Sequence, residues 1–145
     1  MMAPPRALSV RQPWAWAIVH AGKDVENRPR GTRFRGSFFV HASSFASPDE
    51  DAAARAWMGQ RGLVLPPPLA ELPRGGIIGR AEIVGVVEPH ASCGRVWHMC
   101  DRYGLVLEGA EPLPFRPLRG MLSFFPVAMQ EDFTREQNSD GGNGR

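Results

Sequence analysis

The sequence predicts an α+β fold built around a curved sheet, and three features of the chain lead to this prediction. Five or six segments have strand character, and only two helix-like segments lie between them. The strand-like segment GIIGRAEIVGVVE contains Gly79 and Gly85, and glycines inside a strand allow a sheet to bend as it does in small barrels. The 145 residues, 43% of them hydrophobic, suffice for one domain with its own core.

The N-terminal third predicts one helix among three strands. Ala7 to Val10 has strand character, and RQPWAWAIVHAG follows as a helix, with Pro13 at the first helical position and Gly22 at its end. Residues 24–28 form a short strand candidate. An arginine-rich turn separates it from GSFFVHAS, which has the composition of a buried strand.

The second helix and the remaining strands follow from equally local signals. SPDEDAAARAWMGQRG is predicted as a helix because Ser47 and Glu50 match the capping box S-x-x-E and Gly62 ends the segment. Residues 63–76 are predicted as a loop, since three consecutive prolines interrupt them. Besides GIIGRAEIVGVVE, the segments YGLVLEGAEPLPF and GMLSFFPVAM supply further strands.

Chain organisation is predicted to be simple. Residues 1–129 form one domain, and residues 130–145 form a polar tail that is expected to be disordered. No apolar run approaches the roughly 18 residues of a membrane span, and the N-terminus lacks the apolar core of a signal peptide. We therefore expect a cytoplasmic protein with no membrane partner.

The two cysteines, Cys93 and Cys100, are expected to be reduced thiols because no export signal accompanies them. With His98 they could suggest zinc. Zinc sites usually show tighter paired spacing and a fourth ligand nearby. The sequence therefore predicts no metal site and no cofactor.

Charge is distributed unevenly along the chain. Residues 1–40 carry a net charge of +5, whereas residues 41–145 carry −3. A basic patch beside a mildly acidic body can attract phosphates while limiting indiscriminate binding elsewhere. The alternative is that the arginines only solvate a loop.

The segment HAGKDVENRPRGTRFRG contains Lys23, the only lysine in a chain with sixteen arginines. In an extended segment, Glu26 and Arg28 would emerge on one face of the strand. Lys23, at the junction of helix and strand, can bring its amine over that face. A desolvated lysine can lose its proton and act as a base, or remain charged as a phosphate anchor, whereas arginine stays charged. A lone lysine on an exposed turn is the alternative.

These residues resemble the signature of the activating signal cointegrator homology (ASCH) domain, whose pattern is G-x-K-x-x-E-x-R. As in that family, Q-P-W-A opens the preceding helix and an R-G-x-x-x-x-H-A-S strand follows. The resemblance continues to Arg119 and Gly120 and covers the chain from Ala7 to about Met129. Two positions depart from the pattern. Ala21 replaces a glycine, and Glu26 lies where an amidohydrolase subgroup has its nucleophilic threonine.

The resemblance implies a PUA-like pseudo-barrel of five to six mainly antiparallel strands with two or three flanking helices, and a cleft between barrel and helices. It also implies a role with nucleic acid, usually RNA binding. One subgroup of similar proteins hydrolyses the acetyl group of N4-acetylcytidine, and some bacterial members have ribonuclease activity. We therefore expect RNA, a nucleoside or a nucleotide as the ligand, while the sequence does not address protein partners.

Two functional hypotheses follow. The first is a domain that binds RNA or a modified nucleotide, without chemistry, in a cleft around Lys23, Glu26 and Arg28. The second is a metal-independent hydrolase acting on N4-acylated cytidine or on RNA, with Lys23 and Glu26 as the acid and base pair. We favour binding, because basic clustering is visible in the sequence while a complete catalytic set is not.

The candidate ligand contacts extend beyond this motif. Trp14 is favoured over Trp16 as a base-stacking platform because it belongs to the Q-P-W motif, although either ring could be part of the core. His41 is most simply a buried, hydrogen-bonded histidine, but its place in the H-A-S strand brings it near the family cleft. The predicted binding set comprises Gln12, Trp14, Lys23, Glu26, Arg28, Arg30, Arg33, Arg35, His41, Ser43 and Tyr103, the three arginines after Arg28 being candidates for phosphate contacts.

Overall fold

In the part of the chain that the structure describes, six strands form one curled sheet of mixed direction, with two α-helices and one 3₁₀-helix beside it. The structure is a computed structural model, and it describes residues 5–91 and 94–127. The elements in chain order are β1 (Arg6–Val10), α1 (Trp14–His20), β2 (Val25–Arg28), β3 (Gly36–Ala42), α2 (Pro48–Gln60), the 3₁₀-helix (Leu69–Glu71), β4 (Gly76–Val87), β5 (Tyr103–Pro117) and β6 (Phe124–Pro126).

The sheet has the order β2-β5-β4-β3-β1-β6. Strands β1 and β3 run parallel, and the other neighbouring pairs are antiparallel. The predicted α+β class and the mainly antiparallel pseudo-barrel are thereby confirmed.

Curling of the sheet brings its first and fifth strands together. Three strands separate β2 from β1 in the sheet order, yet the guanidinium of Arg28 in β2 donates a hydrogen bond to the carbonyl oxygen of Ser9 in β1 at 2.8 Å. A flat sheet would hold these strands far apart, since neighbouring strands are spaced by about 4.8 Å. The seam between β1 and β2 is where the candidate site lies.

Both glycines predicted to bend the long strand lie at irregularities of β4. The register between β4 and β5 shifts between Ile77 and Gly79 and again between Ile83 and Gly85. A Cβ added at Gly79 would lie 2.7 Å from the side chain of Val19 in α1. The missing side chain therefore also allows α1 to pack closely on the sheet.

The first helix differs slightly from its prediction. Pro13 is the residue that caps α1, one position before the helix begins, and Gly22 follows the helix with a φ of +70°. This left-handed conformation favours glycine and lets the chain turn directly into Lys23 and β2.

The second helix has only one half of the predicted capping box. The Ser47 hydroxyl accepts a hydrogen bond from the Glu50 amide at 3.3 Å, but the Glu50 carboxylate accepts from Arg11 at 2.7 Å. The predicted loop after this helix contains the 3₁₀-helix, Leu69–Glu71.

The core fills the space between the sheet and α1. Ala15, Ile18 and Val19 of the helix pack against apolar side chains of β1, β3, β4 and β5. A second group of apolar side chains, including Val25 and Met58, fills the space around α1, β2 and α2. Burial of the apolar side chains fixes α1 against the sheet. It therefore also fixes the position of residues 21–23, which follow the helix and lead into the candidate site.

Some predictions concern residues outside this description. The predicted tail, residues 130–145, and Cys93 lie outside the described ranges. Cys100 is disulfide-bonded, so the prediction of a reduced thiol is wrong for this residue. None of the helices in the described ranges is long and apolar enough to cross a membrane.

Candidate functional site

A cavity of about 1400 Å³ lies at the seam where β2 approaches β1. Strands β1, β2 and β3 contribute side chains to its wall, and residues 117–123, between β5 and β6, line one side. Because the sheet curls, these segments from distant parts of the sequence meet at one place.

Lys23, Glu26 and Arg28 form a connected ionic cluster in the wall of this cavity. The Lys23 Nζ atom lies 3.2 Å from Glu26 Oε1 and also donates to the carbonyl oxygen of Val25. Glu26 Oε2 accepts hydrogen bonds from Arg28 Nε at 3.1 Å and from Nη2 at 2.9 Å. Both carboxylate oxygens are therefore held by cations, one on each side.

Burial differs sharply within the cluster. The side chain of Lys23 is 1% exposed and that of Glu26 is 8% exposed, whereas 29% of the Arg28 side chain remains exposed. Alternation along β2 explains the arrangement, since Glu26 and Arg28 emerge on the same face as predicted. Val25 points into the core instead.

The electrostatics of the cluster follow from this burial. Desolvation lowers the pKa of the Lys23 ammonium below its ordinary value, although the charge of Glu26 opposes the shift. Desolvation alone would raise the pKa of Glu26, but the charges of Lys23 and Arg28 outweigh it and hold that pKa below its ordinary value. Glu26 is thus an anion fixed between cations, with little basicity.

Trp14 connects this cluster to the hydrophobic core. The Lys23 Nζ atom lies 5.5 Å from the centre of its ring, within the range of a cation–π contact. Its ring also meets Trp57 edge to face at 5.6 Å. Trp14 lines the cavity. The Trp16 ring lies on another face of α1, where its centre is 5.8 Å from the centre of the His20 ring. The half-buried Trp14 ring therefore belongs to both the core and the cavity wall.

Ser9 and His41 form a second polar pair in the same cavity. They lie side by side in the parallel register of β1 and β3, and the Ser9 hydroxyl is 2.9 Å from His41 Nδ1. His41 Nε2 bonds to the carbonyl oxygen of Leu118. A carbonyl only accepts, so Nε2 carries the proton, and in the neutral ring Nδ1 accepts from the Ser9 hydroxyl.

The cavity brings together about half of the predicted binding set. Trp14, Lys23, Glu26, Arg28, His41 and Ser43 all line it.

The other predicted residues lie elsewhere. Gln12 is buried, and its side chain accepts from the Trp16 amide and donates to the Pro73 carbonyl, each at 2.9 Å. It therefore fixes the start of α1. Arg30, Arg33, Arg35 and Tyr103 lie outside the cavity wall, the three arginines on the exposed loop between β2 and β3.

Sequence reasoning missed several residues of the cavity wall. Ser9 and Asn27 belong to strands that the sequence predicted, but nothing local marks them as polar lining. Arg102, Arg119 and Gly120 come from the far end of the chain. Arg119 and Gly120 are part of the resemblance to the ASCH family, and this resemblance was the one signal in the sequence that could have placed them near the cavity.

Asn27 ties the cavity to the segment before β5. Its side chain donates to the Trp97 carbonyl at 2.9 Å and accepts from the Met99 amide at 2.8 Å. Met99 and Arg102 line the cavity on this side. Within residues 5–91 and 94–127, no group of three His, Cys, Asp or Glu side chains could hold a metal ion.

Two comparisons with known proteins address the family of the chain. No curated protein matches the chain. The model of the ASCH domain family matches residues 8–119, which include the ionic cluster, the Ser9 and His41 pair and most of the cavity wall. The chain therefore belongs to the ASCH domain family.

Proposed function

We propose that the protein binds RNA or a modified nucleotide in the cavity at the β1 and β2 seam. Family membership is consistent with RNA binding or a hydrolase role in general. The observation that carries the proposal is the charge of the cavity wall. Among the described residues, five cations line it and Glu26 contributes the one carboxylate: Arg11, Lys23, Arg28, Arg102 and Arg119. Lys23 is paired with Glu26 and Arg11 with Glu50, so Arg28, Arg102 and Arg119 are the cations that can meet a ligand.

Such a wall suits a phosphate-bearing ligand. Guanidinium groups match phosphate oxygens in geometry and remain charged at any physiological pH. Arg28 is held in place by Glu26 and by the Ser9 carbonyl. Among the described residues no group accepts from its Nη1 atom. A preorganised guanidinium with a free edge can receive a phosphate at little entropic cost.

The size of the cavity favours a nucleotide or a longer strand over a small metabolite. Its volume of about 1400 Å³ exceeds the roughly 300–1,000 Å³ common for small-molecule pockets. Apolar side chains such as Met99 and the half-buried ring of Trp14 offer surfaces against which a base can pack.

We assign the ionic cluster a positioning role, not acid–base chemistry. Glu26 accepts from both Lys23 and Arg28, and its lowered pKa makes it a weak base. The Lys23 ammonium donates to Glu26 and to the Val25 carbonyl, which engages two of its three N–H groups, and its burial hides it from a ligand. These contacts favour binding over the alternative hydrolase in which Lys23 and Glu26 act as the catalytic pair.

Titration of a short fluorescent single-stranded RNA at about 50 and 200 mM salt tests the proposal. Each phosphate contact should contribute about −0.7 to the slope of log K against log salt. Arg102→Ala and Arg119→Ala should each weaken binding and reduce that slope. Arg80→Ala is the matched control, because this exposed arginine lies outside the cavity wall and pairs with Glu111.

Two results would contradict the proposal. An RNA affinity that does not change with salt would show that the protein makes no phosphate contacts. An equal loss of affinity in the cavity variants and in Arg80→Ala would show that RNA does not bind in this cavity. Turnover of N4-acetylcytidine that disappears in folded Glu26→Gln protein would favour the hydrolase instead.

A further inference from the structure

We propose that Ser9 and His41 are a nucleophile and its general base, and that the cavity transfers acyl groups from small carboxylic esters. This inference goes beyond ligand binding and does not depend on it. It uses a pair of side chains that the ionic cluster leaves out.

The geometry of the pair meets the requirement for proton transfer. The Ser9 hydroxyl and His41 Nδ1 are 2.9 Å apart, within the roughly 2.6–3.2 Å needed between a nucleophile and its base. The Leu118 carbonyl holds the opposite ring nitrogen and fixes the tautomer in which Nδ1 is free to accept a proton. His41 is 1% exposed, so its ring is confined by the surrounding structure.

Access to the hydroxyl depends on Gly120. A Cβ added at this position would lie 2.7 Å from Ser9 Oγ and 2.9 Å from His41 Cε1. Any side chain here would therefore occupy the space directly above the pair. The absence of a side chain at Gly120 leaves the half-buried Ser9 open to the cavity.

The reaction balances with water as the second substrate. His41 Nδ1 takes the hydroxyl proton while Ser9 Oγ bonds to the carbonyl carbon, and collapse of the tetrahedral adduct breaks the bond to the leaving alkoxide, which receives that proton. Water then attacks the acyl-serine, His41 takes its proton and returns it to Ser9, and the carboxylic acid leaves. No oxidant or metal is required.

The residues around the pair determine which class of acyl compound can react. The oxyanion of the adduct forms in a cavity lined by the guanidinium groups of Arg28, Arg102 and Arg119, which favour negative charge. Leu118 provides a neutral carbonyl where a catalytic triad has a carboxylate, so it stabilises an imidazolium less. The pair therefore suits esters with good leaving groups better than amides.

Acylation by p-nitrophenyl acetate tests the inference on the full chain. We expect release of p-nitrophenolate in a burst and one acetyl group on the peptide that contains Ser9, located by mass spectrometry. Ser9→Ala should slow the burst by roughly a hundredfold. His41→Asn should do the same, because the amide oxygen still accepts from Ser9 but is not basic. Ser37→Ala, on the exposed face of β3, should react like the wild type.

Other outcomes would overturn the inference. If the Ser9→Ala protein is acetylated at the wild-type rate, or if the acetyl group is found on Lys23, Ser9 is not the nucleophile. An undiminished rate in Gly120→Ala would remove the proposed route of access. If His41→Asn fails to fold, the Ser9→Ala comparison decides alone, since it removes a single oxygen atom.

Discussion

Two neighbouring groups of basic side chains behave in opposite ways in this protein. Lys23 and Arg28, at the two ends of the segment that contains β2, enclose Glu26 and are largely or partly removed from solvent. Arg30, Arg33 and Arg35, on the loop that follows, are exposed. Within thirteen residues, the chain thus places some basic side chains in a fixed, buried cluster and others on a solvated loop.

Burial explains why the two groups differ. A charge removed from water requires a partner, so the cluster is held in one geometry by hydrogen bonds to both oxygens of Glu26. On the loop, Arg35 donates to the carbonyls of Thr32 and Phe34, which belong to the same loop. Fixed cations can orient a ligand, whereas solvated ones mainly add long-range attraction.

The largest expected effect is on stability, from Glu26→Gln. This change leaves the buried ammonium of Lys23 without its anion, and loss of one partner from a buried pair costs about 3 kcal/mol. Chemical denaturation should show this loss in the free energy of unfolding. Glu111→Gln is the matched control, since its pair with Arg80 is half exposed and should contribute less than about 1 kcal/mol. Equal losses in both variants would contradict the distinction between buried and exposed charges.

The same variant predicts a pH dependence. Because the pKa of Glu26 is lowered in the folded protein, its ionised form contributes stability that is complete above the ordinary pKa of 4.5. That contribution is lost as the pH falls through the lower folded-state pKa. The stability difference between wild type and Glu26→Gln should therefore shrink as the pH falls below 4.5, as measured by unfolding at several acidic pH values. A difference that grows in acid would have the wrong sign.

A smaller effect is expected from Arg28→Lys. Lysine keeps the charge but cannot make the contacts that Nε and Nη2 make with Glu26 together with the one to the Ser9 carbonyl. We expect a loss of about 1.5 kcal/mol in the free energy of unfolding and weaker RNA binding. Arg80→Lys, in an exposed pair, should change stability by less than about 0.5 kcal/mol. An Arg28→Lys protein as stable as the wild type would mean that a positive charge at this position is sufficient to stabilise the approach of β2 to β1.

The smallest effect on stability is expected from Arg33→Ala. This exposed arginine should contribute less than about 0.5 kcal/mol to the free energy of unfolding. If the loop contacts phosphates, the slope of RNA affinity against salt should fall by about 0.7. Thermal unfolding and RNA titration of the same protein separate these two quantities. A large loss of stability would contradict the solvated loop.

Local signals were sufficient for much of the fold. Ser47 marks the start of α2, Gly22 marks the turn after α1, and alternation along β2 places Glu26 and Arg28 on one face. Each of these depends on residues at most a few positions apart, so the backbone conformation is set by neighbours in the sequence. Lys23, Glu26 and Arg28 line the cavity together for the same reason, because the three residues lie within six positions of the chain.

Pairings between distant residues could not be obtained in this way. Ser9 meets His41 across 32 positions, and Gly120 lies next to both of them, only because β1 and β3 pair in parallel and the chain after β5 returns to this part of the sheet. The contact between Arg28 and the Ser9 carbonyl requires the sheet to curl. Curl and register depend on packing of the whole core, which no short segment encodes.

By itself, the sequence determined the family, the order of helices and strands, and the isolation of one lysine among arginines. The tertiary structure decided that this lysine is buried against its anion, that three arginines of the basic segment stay outside the cavity, and that a serine from the first strand faces a histidine from the third. The physical reason is that burial and long-range register arise from the closing of the sheet, whereas local conformation arises from neighbouring residues.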